Sequence, residues 1–398
     1  MKIGVYGGTF NPPHLGHVAA ARAVVETLGL QELYLIPAGL PPHKSLPAGT
    51  PDAQKRLEMT RLAGEQLSLS VPVRALDVEL HRDGKSYTVE TLEALHAQRP
   101  DAELWLLLGA DMFLSLRTWY HAERILSLAG IAAFGRTGED VDAQFSEQRE
   151  RLYRDFPQAR IFTLAIPDVI NVSSTQVRET LAHGGGANLL PPAVYGYILR
   201  EKLYGTRADL TRLPLSRLRP VALSYLNRRR IPHVLGAEQE AIRLSIRYGA
   251  DVEKARRAAL LHDCTKRLSP AEQFELCRRY GIELDEVETA NPKLLHALTG
   301  AVIARDLYGM DDEIVRAIRY HTTGRAKMSL LEKIMYLADY IEPSRDFPGV
   351  EELRRACYQD LDRGLILGLT MTVNEMTERG EPLHRATLEA LEDVRGAR

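Results

Sequence analysis

Two parts of this chain carry residue types at spacings that could do chemistry. The first is GGTFNPPHLGH, residues 7–17, which breaks on two glycines and a Pro-Pro pair and ends on His14 and His17. Gly7 and Gly8 let backbone N–H groups approach a ligand closely. Pro12 and Pro13 stiffen the turn, and two imidazoles three positions apart enter the following helix on adjacent faces. A helix N-terminus favours anions and imidazoles add hydrogen-bond donors, so the string suits phosphate oxygens. The second is a series, RIPHVLG, LLHDCTK, NPKLLHALTG, IRYHTTG and YLADYIEP, which sets His233, His262, Asp263, His296, His321 and Asp339 along successive helices. Any one of these histidines alone reads as a satisfied core residue. Six ionisable groups in this order do not, because burying them is expensive unless they are paired or metal-bound. Imidazole with carboxylate is a ligand set for iron, manganese or zinc. Lys266 falls three residues after Asp263, one helical turn away if the helix continues, where it either steadies phosphate charge or faces solvent.

These residues need elements to position them, and the two halves of the chain have different patterns. Through about Gly205, the short apolar runs KIGVYGG, ELYLIPAG, VRALDVEL, ELWLLLGAD, GIAAFGR and ARIFTLAI alternate with segments apolar at i, i+3 and i+4. This predicts an α/β domain with a parallel sheet and crossover helices. Ligands of such sheets bind beyond the carboxyl ends of the strands. The opening string lies at one such end, and Gly109 and Asp111 at another. After Gly205 the strand-like runs nearly vanish, and EQEAIRLSIRYG, EKARRAALLHD, PAEQFELCRRYG, EIVRAIRYH and LLEKIMYLADYI read as helices of an all-α bundle. Between the halves, GTRADLTRLPLSRLRP mixes arginines with Pro214 and Pro220 and reads as an exposed connector. The expected division is 1–205, a linker over 206–217, and 218–398.

Length and composition bound the partners. At 398 residues the chain suits two folding units. Hydrophobic residues at 45%, charged residues at 26% and a formal charge of -2 describe a protein with no strong global field, so nucleic acid is not called for. Three cysteines without CxxC spacing argue against a disulfide framework or a zinc ribbon. With no signal-like start and no apolar run long enough to span a bilayer, the expectation is a cytoplasmic protein without a membrane partner. Nothing in these numbers fixes the oligomeric state, and a homo-oligomer is compatible with them.

The string GGTFNPPHLGH resembles the (H/T)xGH signature of the nucleotidyltransferase superfamily, and VSSTQVR, residues 172–178, is similar to that superfamily's second phosphate-binding motif. PPHK, SYTVETL, LLLGADMFLSLRTW and FGR further resemble the bacterial nicotinate mononucleotide adenylyltransferases, across residues 1–204. The resemblance implies a Rossmann-like domain that transfers AMP from ATP to nicotinate mononucleotide, with magnesium, in NAD synthesis. It also implies that Gly7, Gly8, Thr9, Phe10, His14, His17, Gly109, Asp111, Ser174, Thr175 and Arg178 surround ATP. Lys44 would reach the phosphates and lie with Thr88, Trp119 and Arg136 near the nicotinate nucleotide; His14, His17, Lys44 and Arg178 would carry the chemistry. Trp119 equally suits a core position, and Ser174 an ordinary helix cap.

The ordered H, HD, H, H, D pattern resembles the HD superfamily of metal-dependent phosphohydrolases, and within it the symmetrical diadenosine tetraphosphate hydrolases, from about Leu218 onward. That resemblance implies a two-metal centre of divalent or mixed-valence metals, containing iron. His233, His262, Asp263 and Asp339 would hold one metal and His296 and His321 the other, with Asp263 bridging and Lys266 beside them. Two other readings stay open. The HD bundle could be a non-catalytic nucleotide-sensing module, or both domains could be enzymes with other substrates, such as pantetheine phosphate in front.

Overall fold

The computed structural model describes residues 1–41, 45–136, 139–166 and 172–397, the side chains of residues 136 and 139–141 excepted. The chain divides into two compact units, Met1–Arg207 and Ala208–Arg398.

In the first unit each of the six apolar runs becomes a strand: β1 Lys2–Gly8, β2 Glu32–Pro37, β3 Val73–Ala75, β4 Glu103–Gly109, β5 Ala129–Arg136 and β6 Ile161–Ile166. All pairings are parallel, in the order β3-β2-β1-β4-β5-β6. The helices are α1 Leu15–Leu28, α2 Ala53–Glu65, α3 Thr88–Gln98, α4 Ala110–Ser115, α5 Ala122–Leu128, α6 Glu139–Asp155, α7 Ser174–Ala182 and α8 Pro192–Arg200. The strands are apolar at nearly every position because both faces of the sheet are covered. Val5, Leu106 and Leu108 pack with Leu92 of α3 and Ile125 of α5, whereas Tyr6, Leu35 and Leu107 pack with Val24 of α1. Strand order reverses between β1 and β4, and there the loops diverge to leave a crevice.

The run VRALDVEL contributes only its first three residues to β3. After Leu76, whose N–H still reaches the Leu35 carbonyl, the chain turns, with Leu80 N–H on the Asp77 carbonyl. That turn buries Glu79, which accepts a hydrogen bond from Thr91 of α3 at 2.8 Å.

The second unit is helical throughout, with no strand among its described residues. Its helices are α9 Leu215–Leu223, α10 Arg230–Tyr248, α11 Val252–Leu261, α12 Pro270–Arg279, α13 Glu286–Ala290, α14 Leu295–Asp306, α15 Asp312–Arg319, α16 Leu330–Ile341, α17 Val350–Gln359, α18 Leu361–Glu378 and α19 Arg385–Gly396. Serine or aspartate three residues before glutamate closes capping boxes at Ser269, Asp285 and Ser329, which fixes where α12, α13 and α16 begin. Among the described residues no helix is long and apolar enough to cross a membrane.

Residues 206–217 differ from the exposed connector that their composition suggests. Ala208, Leu210 and Leu213 are buried. Leu210–Arg212 forms one 3-10 turn capped by Asp209, and the Leu213 carbonyl accepts from Arg257 Nη1 at 3.1 Å. The arginines do face outward at 207 and 212, but the interleaved leucines form an apolar stripe that an average over the window conceals.

Candidate active sites

The first site lies at the reversal of the sheet. β1 ends at Gly8 and α1 begins at Leu15 with His14 as its N-cap residue. A cavity of about 580 Å³ opens above the strand ends, lined by Gly7, Gly8, Thr9 and His17, by Gly109 at the end of β4 and Asp111 beyond it, and by Thr88, Trp119 and Tyr120. Eight of the expected residues, Gly7, Gly8, Thr9, His17, Thr88, Gly109, Asp111 and Trp119, thus share one space. His17 Nδ1 accepts the N–H of His14 at 3.1 Å, which leaves Nε2 to carry the proton of a neutral ring. Asp111 is exposed in the first turn of α4, as a ligand-facing group requires and a core residue does not.

Five expected residues, Phe10, His14, Ser174, Thr175 and Arg178, stand beside this cavity without lining it. Phe10 is 2% exposed, and its ring packs edge-on against Tyr6. Ser174 Oγ donates to the Pro12 carbonyl at 3.3 Å, and Arg178 donates to the Asn11 carbonyl at 2.8 Å and to Thr175 Oγ1 at 3.0 Å. Ser174, Thr175 and Arg178 of α7 therefore meet the loop that carries His14. The N-cap of α7 is Ser173, so the capping role once open to Ser174 belongs to its neighbour. His14 is buried, its Nδ1 has no hydrogen-bond partner, and burial lowers its pKa to about 4. Lys44 lies outside the described residues, as does the side chain of Arg136; the backbone of Arg136 ends β5.

Two contributors escape a motif-based reading. Arg56 of α2 is 2% exposed and donates to the carbonyls of Thr9, Ala38 and Gly39 at 3.1, 2.6 and 3.3 Å, fastening the cavity floor. α2 carries both Arg56 and Arg61, and nothing in the sequence marks the first as the buried one. Gly39 permits a close approach, since a Cβ there would stand 2.5 Å from the Glu79 carbonyl oxygen. Tyr120 packs against Tyr87 with ring centroids 4.6 Å apart at the cavity wall.

The second site forms where α10, α14, α16 and the C-terminal ends of α11 and α15 approach one another. His233 Nε2 lies 2.8 Å from Asp339 Oδ1 and 3.4 Å from His262 Nε2. His262 Nε2 lies 3.5 Å from Asp263 Oδ2, and His296 Nε2 is 3.3 Å from Asp263 Oδ1 and 3.1 Å from His321 Nε2. All six expected ligand residues thus converge, and two subsets, His233–His262–Asp339 and His262–Asp263–His321, each gather within the span one cation needs.

The tautomers show what this arrangement is for. Nδ1 of His262, His296 and His321 each lies 2.6 Å from the carbonyl three residues earlier, at Ala259, Lys293 and Ile318. A carbonyl can only accept, so each Nδ1 carries the proton and each Nε2 presents its lone pair inward. His233 Nδ1 donates likewise to Glu342 Oε1 at 3.0 Å. Lone pairs facing carboxylates repel one another unless a cation lies between them, and Asp263 Oδ1 is buried without a hydrogen-bond partner. This donor set fits divalent metal, with the outer hydrogen bonds that orient metal-bound imidazoles already in place.

The electrostatics agree. Burial holds His321 near 4 and His296 well below its usual value, so both stay neutral and able to ligate. Burial likewise lowers His262. For His233, burial pulls downward but is outweighed by the Asp339 and Glu342 carboxylates, and its pKa rises. Burial opposes ionisation of Asp263, yet its charged neighbours, the Arg230 guanidinium among them, hold it well below the carboxylate range. Glu342, Arg230 and Arg345 were not singled out by the sequence reading, although Glu342 sits in the same YLADYIEP string as Asp339.

Comparison with known proteins matches these two sites to two families. The cytidylyltransferase-like family model matches residues 5–180, and the HD domain model matches residues 230–344. A probable nicotinate-nucleotide adenylyltransferase from Lactiplantibacillus plantarum is 34% identical over 207 residues, 51% of this chain and 88% of its own length. A symmetrical bis(5'-nucleosyl)-tetraphosphatase from Halalkalibacterium halodurans is 41% identical over 165 residues, 41% of this chain and 88% of its own length. Among solved structures, a predicted HD superfamily hydrolase involved in NAD metabolism from Clostridium acetobutylicum is 40% identical, with a TM-score of 0.45, covering 47% of this chain and 99% of that one.

Proposed function

Because the front of the chain belongs to the nicotinate-nucleotide adenylyltransferase family and the rear to the HD-domain family of symmetrical bis(5'-nucleosyl)-tetraphosphatases, we propose that it is a bifunctional enzyme of adenine nucleotides. The front unit joins ATP to nicotinate mononucleotide. A phosphate oxygen of the mononucleotide bonds to the α-phosphorus of ATP as the bond to the β-phosphate breaks, giving deamido-NAD and pyrophosphate. The attacking phosphate is already a nucleophile, so positioning and charge neutralisation carry the catalysis.

His17 on the cavity wall and the backbone of Gly7–Thr9 would receive the triphosphate, with His14, Lys44 and Arg178 adding donors and Ser174, Thr175, Gly109 and Asp111 framing the nucleotide. Thr88, Trp119 and Arg136 would receive the nicotinate nucleotide. The observation that favours this reading is the single cavity that joins the His17 end to the Trp119 end. Magnesium would accompany ATP. The test offers nicotinate mononucleotide, nicotinamide mononucleotide and phosphopantetheine with ATP. A clear preference in kcat/KM for the first supports the assignment, since a carboxylate recognised by N–H donors gains charge-assisted hydrogen bonds that a carboxamide does not. Equal efficiency on all three would overturn it.

In the rear unit, His233, His262, Asp263, His296, His321 and Asp339 would hold two divalent cations, iron among them, as orienting side chains around diadenosine tetraphosphate. Such cations supply positive charge at a phosphoryl group and access to hydroxide at neutral pH. Water adds at a phosphorus beside the central bridging oxygen, that P–O bond breaks, and two ADP leave. The inward lone pairs and the unpartnered Asp263 Oδ1 support a metal-dependent reading over a sensing module.

A further inference from the structure

Three cationic side chains crowd the second site, and two of them bind its carboxylates directly. Arg230, the first residue of α10, donates through Nε to Asp263 Oδ2. Arg345, just beyond α16, donates through Nη2 to Asp339 Oδ1 at 3.0 Å and lies 3.8 Å from Glu342 Oε1. Lys266 Nζ lies beside the His296 ring, 3.2 Å from Nδ1 and 3.3 Å from Nε2. Arg230 and Arg345 thus set one positive charge against each of Asp263 and Asp339. Both arginines keep part of their surface open, at 27% and 33%, whereas Asp263 is fully enclosed. They reach the ligand carboxylates from the solvent side.

A carboxylate oxygen held by a guanidinium is not available in the same way to a metal cation, and the charge balance changes once cations enter. Each divalent ion adds two positive charges beside Arg230 and Arg345, and the arginines then face a surplus of like charge. An anion resolves that surplus. A planar guanidinium that has left a carboxylate presents the same fork to a phosphate.

Resting on the metallohydrolase reading of this site, we propose that Arg230 and Arg345 form an exchangeable latch. They neutralise Asp263 and Asp339 when no cation is bound, and they turn to the inner phosphates of a polyphosphate substrate when the carboxylates are taken up by metal. The latch makes metal and polyphosphate binding cooperative, since each removes what opposes the other. A merely structural pair of arginines would lose both affinities together or neither.

The test uses the full chain stripped of metal, with Mn2+ and then inorganic phosphate as calorimetric probes, on wild type, Arg230→Gln and Arg345→Gln. Each variant is expected to bind Mn2+ several-fold more tightly, because its competitor is gone. Each is expected to bind phosphate to the Mn2+-loaded protein roughly tenfold more weakly, the scale of one charge-assisted hydrogen bond. The front site is the same in every sample and drops out of the comparison. Arg230→Lys and Arg345→Lys, which keep the charge and lose the fork, should restore Mn2+ affinity toward wild type while leaving phosphate binding weak, and they carry the test if a glutamine variant fails to fold. Unchanged or weaker Mn2+ binding in the variants, or unchanged phosphate binding, overturns the latch. A wild-type chain that takes up no Mn2+ and cleaves no diadenosine tetraphosphate overturns the underlying reading instead.

Discussion

At the scale of single residues, the two histidines of the opening string have different duties although they are three positions apart. His17 lines the cavity, and its Nδ1 is committed to the His14 backbone. Replacing it with alanine removes a donor that gains most as charge builds on the transferred phosphate. We expect His17→Ala to lower kcat roughly 100-fold or more, the scale seen for single donors to a developing oxyanion, with little change in KM for ATP. Steady-state kinetics decide it; a rise in KM alone would assign His17 to ground-state binding.

His14 is buried and held neutral, its pKa lowered to about 4 against an ordinary 6.5. Between those values the unfolded chain binds more protons, so stability of the first unit should fall as pH drops below 6.5 and level off near 4. His14→Asn should flatten that acid limb. Both tryptophans, Trp105 and Trp119, belong to this unit, so their fluorescence in urea titrations from pH 4 to 7 reports it selectively. Identical acid limbs in wild type and variant would contradict the assignment.

At the scale of elements, a glycine sets how closely two helices can meet. Gly236 lies one turn after His233 on α10, and a Cβ there would come within 2.7 Å of Glu342 Oε2, just past α16. Gly236→Ala should push the two apart, break the His233–Glu342 bond and cost about 1–3 kcal/mol as overpacking does. The expected readout is a lower thermal midpoint for the rear unit and weaker metal uptake; an unchanged midpoint with normal uptake would show that Glu342 yields without consequence.

The elements also show what was legible beforehand. The six strands were, since covered parallel strands are continuous apolar runs with few other readings. The end of β3 was not, because the alternation in LDVEL suits a strand as well as the turn that buries Glu79 against Thr91. The six converging His and Asp residues announce themselves by type and order. Arg56, Arg230 and Arg345 do not, since an arginine that binds carbonyls or carboxylates inside the fold is indistinguishable in sequence from one on a solvated helix face. Leu210 and Leu213 were hidden among the arginines and prolines of their own segment.

At the scale of the molecule, the central claim is that one chain carries two chemically separate active sites. Their groups lie in different units: His17 and its cavity before Arg207, Asp263 and the histidine cluster after it. The most direct measurement assays both reactions on one preparation each of wild type, His17→Ala and Asp263→Ala, with circular dichroism and elemental analysis alongside. Metal can contribute folding free energy to the rear unit, so the spectra separate lost chemistry from lost structure. His17→Ala is expected to lose adenylyl transfer and keep diadenosine tetraphosphate hydrolysis, and Asp263→Ala to lose hydrolysis and bound metal while keeping adenylyl transfer. Hydrolysis persisting in a folded, metal-free Asp263→Ala chain, or loss of adenylyl transfer in that variant without unfolding, would contradict the central claim.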